Sequence, residues 1–189
     1  ANYGYSQVST KESFTTYDKA MFFMPSGQGG LFYQMSLPGN FCLGAEFLYV
    51  RIEGEQQYSV LDEESLHWTD VELRQHISYF GIPFYVGYHY RWLYVNLGVQ
   101  GNLALKSNGK EIYSYGGYYA ENEMDNLYIE NYDLGIRPGL VFKVSEKFSF
   151  DVNYYHGLCN IHSNPETYDW KVRQFSFGLR YIFITVNNK

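Results

Sequence analysis

A chain of 189 residues is enough for one domain, spanning 1–189, with a core of its own, and nothing in its composition marks a second. The net charge of −6 and a pI near 5.3, with no basic stripe, argue against a nucleic-acid partner. Mean hydropathy is −0.35 and no apolar run reaches about 18 residues, which excludes a helical membrane span; a β-barrel passes that filter because its lumen face dilutes any average.

Taken in order, Asn2 to Thr10 reads as a first strand with weak alternation, and Lys11 to Gly29 as a long loop, with Gly29 and Gly30 giving a flexible start to the next strand. In the second strand Leu31, Tyr33, Met35 and Leu37 alternate with Phe32, Gln34 and Ser36. Pro38, Gly39 and Asn40 make a tight turn by residue type. The third strand, Phe41 to about Glu53, sets Phe41, Leu43, Ala45, Phe47 and Tyr49 against Cys42, Gly44, Glu46, Leu48 and Val50.

Gly54 to Asp70 is acidic and polar and reads as a second long loop. In the fourth strand Val71, Leu73, Ile77 and Tyr79 oppose Glu72, Arg74, His76 and Ser78, expected as a polar row facing the interior. Pro83 lacks a ladder donor and should mark a bulge or a register shift. A turn at Arg91 leads into the clearest strand, Trp92 to Lys106. There Leu93, Val95, Leu97, Val99, Gly101, Leu103 and Leu105 share one face; Trp92, Tyr94, Asn96, Gly98, Gln100, Asn102, Ala104 and Lys106 share the other. Its length suits a tilted strand that crosses a bilayer and overhangs it.

Ser107 to Asp125 reads as a third long loop carrying Tyr113, Tyr115, Tyr118 and Tyr119 outside the membrane, with room for a small hairpin of its own. The sixth strand, about Asn126 to Val144, turns Tyr132, Leu134, Ile136, Leu140 and Phe142 one way and Asp133, Arg137 and Lys143 the other. After a turn at Ser145 and Glu146, Phe148, Phe150, Val152 and Tyr154 oppose Ser149, Asp151, Asn153 and Tyr155. Past a polar loop around Asn164 and Pro165, the last strand sets Phe175, Phe177, Leu179, Tyr181 and Phe183 against Gln174, Ser176, Gly178 and Arg180.

Short turns near 38, 91 and 145 thus alternate with long loops near 11–29, 54–70, 107–125 and 161–169. The pattern predicts an all-β, eight-stranded antiparallel up-and-down transmembrane barrel with short periplasmic turns and long extracellular loops. A soluble, lipocalin-like barrel would have to bury Glu46, Glu72, Arg74, Arg137, Asp151 and Arg180 in its core, too many charges unless paired. With lipid outside, those charges meet in a narrow lumen that side chains must fill, and Glu46, Arg137, Asp151 and Arg180 are expected to neutralise one another in the half nearest the short turns. Twenty-one tyrosines suit the rings that girdle such barrels. The sequence opens at Ala1 without a signal-like apolar stretch, as a mature exported chain would. Cys42 and Cys159 fall near opposite ends of the barrel, too far apart for a disulfide, and read as small packing residues.

Two places offer weak hydrolase chemistry. His76 and Ser78 share a face about 7 Å apart along the strand, but Glu72 lies about 13 Å from His76, too far for a direct triad. His162, Ser163 and Glu166 sit at the external rim, yet neighbouring strand residues point to opposite faces. The five histidines show no metal-ligand spacing and no glycine-rich phosphate loop opens a helix, so neither metal nor cofactor is indicated.

The segments GLFYQMSLPGNFCLGAEFLYV, ISYFGIPFYVGYHYRWLYVNLGVQGNL, YDLGIRPGLVFKVSEKFSFDVNYYHGL and the closing FSFGLRYIF resemble the PorT-like outer-membrane β-barrel proteins, which are related in size to the OmpX-like small barrels. The resemblance covers roughly Gly30 to Phe183 and carries fold better than activity. It implies an exported, integral protein of the bacterial outer membrane whose aromatic closing strand is similar to the signal read by barrel-assembly machinery, although here ITVNNK follows Phe183. The expected function is non-enzymatic: an anchor, scaffold or accessory subunit of an outer-membrane assembly such as a protein secretion or transport complex. Its expected partners are outer-membrane lipid, lipopolysaccharide and other outer-membrane proteins. The alternatives are a small-solute pore and a lipid A-modifying hydrolase.

Overall fold

The computed structural model describes residues 2–12, 17–22, 24–62, 67–115, 118–125, 129–163 and 168–183. Among them are ten strands: β1 (Asn2–Glu12), β2 (Tyr17–Phe22), β3 (Met24–Ser36), β4 (Phe41–Asp62), β5 (His67–Tyr90), β6 (Leu93–Tyr115), β7 (Tyr118–Asp125), β8 (Tyr132–Lys143), β9 (Phe148–Gly157) and β10 (Tyr168–Tyr181). Pairing runs β4, β3, β1, β10, β9, β8, β6, β5, and β5 pairs back onto β4 from Phe41–Tyr88 to Asp62–His67, so the ring closes. β2 pairs with β4 beyond β3, and β7 with β6 beyond β8, each extending the course of the ring strand that follows it. The result is the eight-stranded antiparallel up-and-down barrel, and its closure leaves no unpaired edge within the wall.

The wall is sorted as a bilayer requires. Adjacent strands line up Phe41–Tyr88–Val95–Leu140, then Leu43–Val86–Leu97–Pro138, then Tyr49–Phe80–Leu103–Tyr132. The apolar members of these rows are exposed, Leu97 by 62%, while Asn96, Gln100 and Asn102 on the alternate positions are buried. An outside this apolar over an inside this polar suits hydrocarbon around the ring. Near the turns the rings of Phe41 and Tyr88, Trp92 and Phe142, and Phe148 and Tyr181 lie 5.0 to 5.8 Å apart, forming an aromatic girdle at the band's edge.

Three of the expected loops prove to be largely strand. β4, β5 and β6 hold 22, 24 and 23 residues, so β5 has roughly 80 Å of strand against an apolar band of about 25 Å. Gly54 to Asp62 pairs with His67 to Gln75, and Asn108 to Tyr115 pairs with Asp125 to Tyr118, the latter being the small hairpin expected within 107–125. β2 and the start of β3 fall in what reads as the 11–29 loop. These stretches look loop-like in sequence because their outer face is wet, whereas a sheet in water still alternates. The tips at 13–16, 63–66 and 164–167 lie outside the described residues.

Pro83 does not shift the register. Its missing donor interrupts the β4 ladder between Ala45–Phe84 and Leu48–Gly81, and pairing resumes in step. The shift lies higher, where Ser78 pairs with Lys106 but Tyr79 with Ala104, leaving Leu105 as an extra residue on β6. Leu105 and Lys106 are both exposed and Ser107 is buried, so Lys106, expected inside, faces out.

At the band's middle, Leu97→Arg should lower the stability of the vesicle-inserted barrel by about 2–4 kcal/mol, whereas Ser78→Arg, above the aromatic row, should cost under about 1 kcal/mol. Denaturant unfolding followed by tryptophan fluorescence distinguishes the two; equal costs would misplace the band.

Candidate functional site

The lumen is filled in layers. Nearest the extracellular end is an apolar cap in which Val50, Ile52, Ile77, Tyr79, Ile161 and Val172 are fully buried or almost so. Beneath it the Tyr155 hydroxyl donates to Asp133 Oδ2 at 2.6 Å, and the Gln100 amide donates to Asn102 Oδ1 at 2.8 Å. Next comes the ionic layer. Nearest the turns, Cys42, Tyr85, Tyr94 and Val141 form a second apolar cluster.

Glu46 on β4 is the centre of the ionic layer. Arg137 of β8 donates from Nη1 to Glu46 Oε2 at 2.8 Å, and Arg180 of β10 places Nη2 2.9 Å from Glu46 Oε1. Arg180 Nη2 also lies 3.6 Å from Asp151 Oδ2 on β9, and its Nη1 reaches the Tyr85 hydroxyl at 3.5 Å. All four charged side chains are at most 9% exposed and sum to zero. Each sits on the inward parity of a different strand, so the closed ring forces them together, and mutual pairing offsets the several-kcal/mol penalty of each buried ion.

Inward glycines make room for inward rings. A methyl added to Gly44 would overlap the Tyr85 ring paired with it across β4 and β5, and one at Gly87 would overlap the Tyr94 ring. Tyr85, Tyr94 and the Asp133–Tyr155 pair do not stand out in the sequence as site residues. The signal available there is a glycine on the inward parity beside a tyrosine on the inward parity of the next strand.

The second row, Glu72, Arg74, His76 and Ser78, is not interior. These residues face outward, while Val71, Leu73, Ile77 and Tyr79, expected on the lipid face, are buried in the lumen. Alternation divides a strand into two faces without saying which is inside; above the apolar band the outside is water, so the apolar set turns in. Outward rows there run Arg51–Ser78–Lys106, Glu53–His76–Asn108 and Glu55–Arg74–Lys110. Glu53 Oε1 lies 3.0 Å from Arg51 and 2.9 Å from His76; Arg74 pairs with Glu72 and Glu55, and Lys110 with Glu121 at 2.8 Å. Such solvent-exposed pairs each contribute about 0–1 kcal/mol.

Of the external aromatics, Tyr115, Tyr118 and Tyr119 are exposed on the β6–β7 hairpin, with Tyr115 paired to Tyr118 and Ser114 to Tyr119. Tyr113 donates to Glu111 Oε2 at 2.6 Å, and this bond to a carboxylate, with partial burial, pushes the phenol up to about 12.

Neither hydrolase arrangement is assembled. His76 is engaged by Glu53 and Arg51, and Ser78 accepts from the Tyr49 hydroxyl at 3.0 Å. His162 is buried edge-on to Trp170 with ring centroids 4.5 Å apart, Ser163 is exposed, and Glu166 lies outside the described residues. Among the described residues no group of three or more His, Cys, Asp or Glu is placed to hold a metal. Cys42, buried against the Tyr94 hydroxyl, and Cys159 are free thiols.

The family model described as an outer membrane protein beta-barrel domain matches residues 2–163. The chain belongs to that family. It is accordingly an integral protein of the bacterial outer membrane, with the lipid-facing band and filled lumen described above. No curated protein matches the sequence. Among solved structures it is similar to Ail, the attachment invasion locus protein of Yersinia pestis, at 18% identity over 95% of this chain and 94% of that one, with a TM-score of 0.40. It is also similar to Neisserial surface protein A, at 15% identity over 96% and 95%, with a TM-score of 0.47.

Glu46→Gln leaves two buried guanidinium groups with Asp151 as their one counter-ion in the layer, a net charge of +1, and should destabilise the folded barrel by about 3–5 kcal/mol. Arg51→Gln, which breaks a pair in water, should cost under about 1 kcal/mol. The midpoint of heat-induced loss of the compact band on a semi-native gel measures both, and a Glu46→Gln midpoint equal to the parent's would show that the layer does not hold the barrel.

Proposed function

We propose that the protein is a non-enzymatic outer-membrane scaffold, an accessory subunit that holds a protein partner at the cell surface while lipid and lipopolysaccharide surround its wall. The observation that carries this reading is the sheet that projects past the barrel. β2, β4, β5, β6 and β7 continue side by side beyond the lipid-facing band, and among the described residues β7 pairs only with β6. The free side of β7 offers main-chain groups to an added strand, and Tyr118 and Tyr119 next to it are the kind of exposed, amphipathic rings that anchor protein interfaces. A lumen closed by an apolar cap and a neutral ionic layer argues against a pore, and the separate engagement of His76 and Ser78 argues against a hydrolase. The PorT-like resemblance supports a secretion or transport assembly as the setting.

Purification from native membranes in mild detergent should bring down a stoichiometric outer-membrane subunit that is lost when Glu121→Pro breaks β7, with no unitary conductance in planar bilayers and with lipid A masses unchanged by His76→Ala or His162→Ala. A lone monomer that passes ions, or lipid A that changes with either histidine, would overturn the reading.

A further inference from the structure

Below the ionic layer, bordered by Cys42, Tyr94 and Val141 of the second apolar cluster, lies a cavity of about 470 Å³ at the short-turn end, within the range of small-molecule sites. We infer that this cavity binds a small organic carboxylate entering from the periplasmic side. Its lining contains two cationic side chains, Arg180 and Lys143, together with the His89 imidazole and, among the described residues, no carboxylate. Arg180 is the inner wall. Its charge is already balanced, because Arg137 and Arg180 together face Glu46 and Asp151, so the excess positive charge of the cavity comes from Lys143 near its mouth, with the His89 imidazole beside it as a hydrogen-bonding group. Both project inward from the turn-proximal ends of their strands, β8 and β5.

The walls give the rest of the ligand's chemistry. Phe32 lies with its ring 5.5 Å from the Arg180 guanidinium carbon, and Val141 and Ile182 add apolar surface. Gln34 and Ser149 supply neutral hydrogen-bonding groups. One ammonium and an imidazole beside aromatic and aliphatic walls suit a single carboxylate on an apolar body better than a multiply charged phosphate, which would call for clustered arginines. The neutral ionic layer closes the inner end, so the cavity retains a solute rather than passing it.

The test uses the folded, full chain in zwitterionic bicelles and fluorine NMR of para-fluorobenzoate. Saturable binding is expected, weakened about tenfold or more by Lys143→Gln, as expected for loss of one charge-assisted contact. Para-fluorobenzylamine, of the same shape and opposite charge, and neutral para-fluorobenzamide should not saturate. His89→Gln gives a second, independent variant should Lys143→Gln fail to fold, and it should weaken binding in the same direction. Absence of saturable benzoate binding, equal binding of the amide or amine, or an affinity unchanged in a folded variant would each overturn the inference.

Discussion

A strand that leaves the bilayer changes solvent on its outer face while its inner face keeps packing against the other walls of the ring. In the apolar band, leucine, valine and aromatic side chains of β4, β5, β6 and β8 face hydrocarbon, and Asn96, Gln100, Glu46 and Arg137 face inward. Above the row Tyr49–Phe80–Leu103 the chemistry reverses: Arg51, Glu53, Arg74 and His76 face water, and Val50, Ile52, Leu73 and Ile77 fill the lumen. β4 makes the change by swapping residue type on a constant parity. β6 does so by inserting Leu105, which turns Lys106 outward and Ser107 inward.

Closure of the ring then determines what the lumen can hold. With no edge strand in the wall, an eight-stranded barrel is narrow enough that inward side chains from opposite walls meet, and any charge among them must find its opposite. Glu46 does this for two arginines at once, and Asp151 balances the remaining charge. This neutral layer separates two regions with different opportunities: a sheet that extends into the extracellular space, where among the described residues β7 pairs only with β6, and a cavity with Lys143 and Arg180 in its lining that faces the periplasm.

Much of this was legible in the residues, for a specific reason. Leu93 to Ala104, Phe41 to Val50 and the three closing strands alternate so cleanly that parity alone put Glu46, Arg137, Asp151 and Arg180 on one side, and the structure joins them there. What parity cannot supply is its own sign. Glu72, Arg74, His76 and Ser78 are a polar row on one face, but whether polar means lumen or water depends on height relative to the lipid, which no local pattern encodes. The same ambiguity makes Gly54 to Asp70 look like a loop, although Gln56, Val71 and Leu73 continue an interior face. Pro83 attracted the register shift because it lacks a donor; the actual bulge leaves a fainter trace, the exposed pair Leu105 and Lys106 where alternation should have buried one.

Spin labels placed one at a time along β5 in lipid vesicles test the reversal most directly, because one strand crosses both solvents. Labels at Phe84 and Val86 should relax with oxygen, labels at Arg74 and His76 with a water-soluble nickel chelate, and a label at Ile77 with neither. A label at Ile77 that responds to oxygen while Arg74 and His76 are shielded from both agents would contradict the arrangement and return the charged row to the lumen.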